Sequence, residues 1–135
     1  MREITDHKVD GDLPQNQVIV IAADARGAGG ANHRYVIFGY ALATAAHNNP
    51  SWRTGDPAVT TIIFQNGGIK EAGLNGITNE ALLAVVADRL RGFQAGPFKS
   101  HQNGFALDSV EDALSHLKAR TKERLARGVE GVQTA

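Results

Sequence analysis

Three arginines near the end of this 135-residue chain are spaced for a shared task. At about 100° per residue, a helix that sets Arg120 at zero places Arg124 at about 40° and Arg127 at about −20°, so their guanidinium groups form one stripe. Val110, Leu114, Leu117 and Leu125 fall at about 60–140° on the same wheel and mark the neighbouring face as the apolar, buried one. Residues 115–128 carry Lys118, Arg120, Lys122, Arg124 and Arg127 against the single acid Glu123. Guanidinium forks beside an apolar face suit a ligand with phosphates next to a base or ribose, because Arg binds phosphate oxygens bidentately. The same residues also fit a solvated last turn whose cations meet the helix dipole or pair at i,i+4. Phe93 offers a ring that stacks on a base or fills a core. Asn103 offers an amide that reads a base or ribose edge, or caps a turn.

Other chemistries find little support. The chain has no cysteine, hence no disulfide, thiolate zinc site or cysteine nucleophile. His7, His33, His47, His101 and His116 have no HExxH or other ligand spacing, so neither a metal nor a cofactor is expected. No Gly-x-Ser-x-Gly elbow occurs. The glycines at 27–30 lack the Gly-x-Gly-x-x-Gly and Gly-Lys-Ser/Thr patterns of phosphate loops and precede a strand-like run, so a hairpin turn is expected there.

The elements that must position these residues can be read along the chain. Its length suits one domain, and equal numbers of acidic and basic residues (14 each) argue against binding long nucleic acid. The longest apolar run, Val18 to Ala23, is too short to span a bilayer, and the start of the chain lacks the apolar centre of a signal peptide, so a soluble, cytoplasmic protein is expected. Gln17–Ala22, Arg34–Tyr40 and Val59–Gln65 are β-branched or aromatic runs of strand length. Ile69–Leu74, after the Asn66-Gly67-Gly68 turn signal, reads as a fourth strand, and Thr44–Pro57 as a long exposed loop. Thr78 caps a helix ending at Gly92, and Phe93–Phe98 forms a linker that Gly96-Pro97 keeps from being helical. A second helix follows, with Asp108 and Glu111 in a capping-box pattern and a stop at Gly128. The expected fold is α+β: an N-terminal antiparallel β-sheet (1–77), a C-terminal two-helix hairpin (78–128) and a tail (129–135), in a single domain (1–135).

Several segments together resemble the first-described family of Thoeris anti-defence proteins. They are Gly29–Tyr35, Ile63–Gly67, Asn75–Leu83, Asp88–Phe98 and Arg120–Gly131, the densest similarity running from 61 to 131. The phrase Phe-Gln-x-Gly-Pro-Phe, an Asn ten residues after its first Phe, and the closing Arg-Thr-x-x-Arg-x-x-Arg-Gly-Val-x-Gly carry most of it. The resemblance implies a phage-encoded sponge that binds a cyclic ADP-ribose signal of TIR-domain enzymes, glycocyclic ADP-ribose foremost, in the cytoplasm of the bacterial host and holds it uncleaved. It also implies dimers assembling into a hexamer with pockets at dimer interfaces, and in some members separate pockets for the cyclic oligonucleotides of CBASS defence. By position, Phe93 resembles the stacking aromatic, Asn103 the amide after the linker, and Arg120 and Arg124 the phosphate-binding pair. The chain departs at Ser100-His101-Gln102-Asn103, where family members carry Cys-Arg-Glu-Asn, and at His116, where Trp is common. The alternatives are an enzyme that degrades such a signal and a basic-helix module for nucleic acid or protein.

Overall fold

The computed structural model describes residues 1–42 and 55–132 and divides into two compact units, Met1–Ile63 and Phe64–Ala135. In the first unit, β1 (Arg2–Ile4), β2 (Ile19–Ala22), β3 (Arg34–Ala41) and β4 (Pro57–Ile63) pair antiparallel in chain order. Strands β2, β3 and β4 are the three β-branched runs. Strand β1 is a three-residue addition, too short to leave a pattern in sequence, that pairs Arg2 with Ala22 and Ile4 with Val20. Register places Ile4, Val20, Ile37 and Ala22 with Tyr35 and Ile62 on one face, and Ile19, Ile21, Val36 and Phe38 on the other. Both faces are therefore apolar, and on β4 Val59 and Ile63 remain 65% and 51% exposed. Gly39 sits at the register shift of β3 with φ +88°, and a Cβ there would lie 2.2 Å from the Gln17 carbonyl oxygen, so only glycine fits.

The glycine-rich segment is a hairpin connection, as its sequence suggests, with a 3-10 turn at Ala28–Gly30 leading into β3. Asp24 closes it: its carboxylate accepts the His33 N–H at 3.1 Å, and the Asn32 amide donates to its carbonyl at 2.7 Å. Burial pushes the Asp24 carboxyl up, but N–H groups of His33 and Arg34 and the Asn32 amide outweigh it and hold the group below its ordinary value. A carboxylate in that position disfavours an anionic ligand. The loop read at 44–57 lies, up to residue 54, outside the described residues, and Pro57 opens β4.

The second unit corrects three expectations. Ile69–Leu74 is not a strand: Ile69–Ala72 forms one helical turn, α1, ended by Gly73. Its surrounding loop is satisfied by side-chain amides instead of a strand partner. Asn75 accepts the Asn66 N–H at 2.8 Å and returns a bond to its carbonyl at 2.8 Å, while Gln65 accepts the Asn75 N–H at 2.9 Å and donates to the Gly73 carbonyl at 2.7 Å. Helix α2 (Asn79–Gln94) starts as expected, the Thr78 hydroxyl accepting the Ala81 N–H at 3.1 Å, but it runs through Gly92 to Gln94. Helix α3 (His101–Ala126) does not begin at Asp108. Its cap is Ser100, whose hydroxyl accepts the Asn103 N–H at 3.1 Å, so Asp108 and Glu111 lie in the helix interior. The helices pack on each other, with Ala87 fully buried, and the chain leaves α3 through Arg127 and left-handed Gly128 (φ +73°).

Candidate functional site

Phe93 lies in the last turn of α2, not in the linker that the sequence suggests. Its ring is 37% exposed, meets the Phe98 ring edge-on with centroids 6.4 Å apart, and carries the Arg89 guanidinium 5.3 Å from its centroid. Arg89 escapes a motif search, although Arg and Phe four residues apart on one helix are a recognisable cation–π spacing. Asn103 is the third residue of α3, and its side-chain amide donates to the Phe98 carbonyl at 3.4 Å. Phe93 and Asn103 thus meet through Phe98.

The arginine stripe is not uniform. Arg120 is exposed and makes no hydrogen bond or ion pair among the described residues. Arg127 follows the solvated reading, pairing with Glu123 one turn away at 3.1 Å. Arg124 is only 5% exposed. Its Nε donates to Glu130 Oε2 at 3.1 Å, and its Nη2 donates to the carbonyls of Val129 at 2.9 Å and Val132 at 2.7 Å. After Gly128 the tail folds back over this side of the helix, so Arg124 takes an interior place. Leu125, expected on the buried face, is 62% exposed.

The tail is held from its other side by the start of α1 and its capping residue Gly68. The Lys70 N–H donates to the Gly131 carbonyl at 2.8 Å, and a Cβ on Gly68 would lie 2.4 Å from that same oxygen. Gly68→Ala is therefore expected to displace the tail and remove partners of Arg124, at a cost of about 1–3 kcal/mol as overpacking usually gives. A thermal melt checks this, and an unchanged Tm would mean that the tail is not seated against Gly68.

The four candidate residues do not converge within one copy of the chain. Arg120 follows Asn103 by 17 positions along continuous helix, a rise of about 25 Å. Phe93 and Asn103 stand at the turn of the hairpin, Arg120 and Arg124 near its open end. Beside the turn, Gln94, Lys99, His101, Phe105 and Asp108 border an open groove of about 420 Å³. Along the hairpin Val85, Phe105 and Leu125 leave 58%, 69% and 62% of their surfaces exposed. Among the described residues no group of three His, Asp or Glu is placed to hold a metal, and no helix is long and apolar enough to cross a membrane.

These elements define a small α+β protein whose antiparallel sheet is followed by a capped helical hairpin with an aromatic and amide pair at one end and arginines at the other. Residues 56–122, most of that hairpin included, match the family model described as the Acb2/Tad1 hairpin domain. A curated protein named Thoeris anti-defense 1, from Bacillus phage SBSphiJ7, is 45% identical over 73 residues, covering 54% of this chain and 51% of the phage protein. The chain belongs to the Thoeris anti-defence family. The match spans about half the length of that relative.

Proposed function

We propose that the protein is a phage anti-defence sponge: it binds a cyclic ADP-ribose signal, glycocyclic ADP-ribose foremost, in the host cytoplasm and withholds it, uncleaved, from the defence effector. Family membership supports the anti-defence role, and the chemistry of the hairpin supports the ligand class. A cyclic ADP-ribose joins a base, two riboses and a diphosphate. Phe93 supplies a ring for the base, Asn103 an amide for orientation and Arg120 a guanidinium group for the phosphates. Arg124, the other half of the expected phosphate pair, is turned inward to Glu130 and the tail carbonyls and acts by seating the tail beside Arg120.

The observation that carries this reading is the separation of those groups along α3. A ligand of this class is much shorter than about 25 Å, the span from Asn103 to Arg120. The residues serve one ligand only if two copies pair so that the turn of one hairpin meets the open end of the other, and each pairing then creates two equivalent pockets. Val85, Phe105 and Leu125, exposed along the hairpin, are suited to such a contact, and apolar surface left on β4 is suited to further association toward a hexamer.

Sequestration requires a dissociation constant near the nanomolar range, about −12 kcal/mol, and protein in excess of signal. The test is to incubate the protein with glycocyclic ADP-ribose, denature it and identify what is released. Intact cyclic ligand, bound before denaturation, is the expected result. A linear product would make the protein a degrading enzyme, and no retained ligand would remove this ligand class.

A further inference from the structure

The residue that joins the two halves of the aromatic end is Gln94. It closes α2, directly after Phe93, and its side-chain amide grips one peptide group on each side: Oε1 accepts the Ser100 N–H at 3.0 Å and Nε2 donates to the Ser100 carbonyl at 3.0 Å. The Ser100 hydroxyl in turn caps the Asn103 N–H at 3.1 Å. Asn103 reaches back to the Phe98 carbonyl, and the Phe98 ring abuts that of Phe93. The contacts form a closed circuit that begins and ends at the base of α2. Gly104 completes it, since a Cβ there would stand 3.1 Å from Gln94 Nε2.

We infer that Gln94 is a positioning residue for ligand recognition: by clamping Ser100 it sets the distance and angle between the Phe93 ring and the Asn103 amide. This rests on the reading of those two residues as ligand contacts. A carboxamide is suited to the task because it presents one donor and one acceptor in the geometry of a peptide group. A carboxylate keeps the acceptor for the Ser100 N–H but turns a lone pair toward the Ser100 carbonyl. A protonated carboxylic acid has both functions again.

That difference supplies the test. Gln94→Glu is titrated with glycocyclic ADP-ribose at pH 7.5 and at pH 5, beside wild type, Gln94→Leu and Arg120→Ala, with the melting temperature recorded at each pH. An acid facing a carbonyl in a half-buried site titrates above its ordinary value of about 4.3. Lys99 and His101 on the groove wall oppose that rise and Asp108 reinforces it. Comparison with wild type at each pH removes every effect of pH that does not depend on residue 94. The expected result is at least a tenfold loss of affinity for Gln94→Glu at pH 7.5, most of it recovered at pH 5, with the same loss and no recovery for Gln94→Leu. Melting temperatures should stay well above the assay temperature throughout. Wild-type affinity for Gln94→Glu at pH 7.5, an unrecovered loss at pH 5, or a loss that follows unfolding would overturn the assignment. If these occur while Arg120→Ala still weakens binding, the positioning role fails alone. If wild type binds no ligand, the functional reading fails with it.

Discussion

Arg120→Ala and Arg124→Ala are expected to separate sharply: both weaken ligand binding, but only the second destabilises the fold. Arg120 is exposed and makes no hydrogen bond or ion pair among the described residues, so its removal should change stability by no more than about 0.5 kcal/mol. Its loss from a desolvated phosphate contact should cost about 2–5 kcal/mol of binding, at least about thirtyfold in Kd. Arg124 differs because its side chain is 6% exposed and bonded to Glu130, itself 30% exposed. Removing it strands that carboxylate and deprives the carbonyls of Val129 and Val132 of a donor. Breaking a buried pair costs about 3–5 kcal/mol, and the partial exposure of Glu130 favours the lower end. For a chain of this size that is a fall in Tm on the order of 10 °C. Thermal melts and ligand titrations of the two variants, with Arg120→Lys to separate charge from fork geometry, decide the matter. An unchanged Tm for Arg124→Ala would refute the tail clasp, and unchanged Kd for both alanine variants would take the arginine stripe out of the site.

The position of Arg124 was beyond reach of helical arithmetic for a definite reason. A wheel places side chains relative to their own helix and cannot know that the chain turns at Gly128 and lays Glu130 back against the last turn. The strands built from β-branched runs were legible, as were Thr78 as a cap and Gly128 as a stop, because each depends on residues close in sequence. Arg2–Ile4 was not, since a three-residue strand is defined only by its pairing with β2.

Two other differences share another cause. Ile69–Leu74 reads as a strand, and Asp108 with Glu111 reads as the capping box of the second helix, because loop-forming residues obscure what satisfies the backbone. In both places a carboxamide takes the part of a neighbouring strand or turn: Asn75 on the peptide groups of Asn66, and Gln94 on those of Ser100. Asn16 does the same in the first unit, accepting the Val9 N–H at 3.0 Å and donating to its carbonyl at 2.7 Å. Such clamps need no periodicity and leave no composition signal beyond one Asn or Gln near a glycine. Their effect is local rigidity, which suits Phe93 and Asn103 at the hairpin turn, since groups fixed before binding lose less entropy when they bind.

A mixed assembly of Phe93→Ala and Arg120→Ala chains is expected to recover the wild-type affinity that each variant loses by itself. If each pocket takes its aromatic from one copy and its arginine from another, a homomeric Phe93→Ala assembly lacks every ring and a homomeric Arg120→Ala assembly lacks every fork. In a paired heteromer the two defects fall together in one pocket, leaving its twin with both native groups. Co-expression under two different affinity tags, with sequential purification, isolates that species. Titration should then give a Kd close to that of the wild type with one functional pocket for every two present. A pocket contained within a single copy cannot produce this result, because every chain in the mixture carries a lesion. Phe93 and Arg120 stand at opposite ends of the hairpin, with about 25 Å of helix between Asn103 and Arg120, so failure to complement would require their separation into different sites. Complementation would instead explain why the hairpin leaves Phe105 and Leu125 exposed along its length: contact between copies would be part of constructing each pocket.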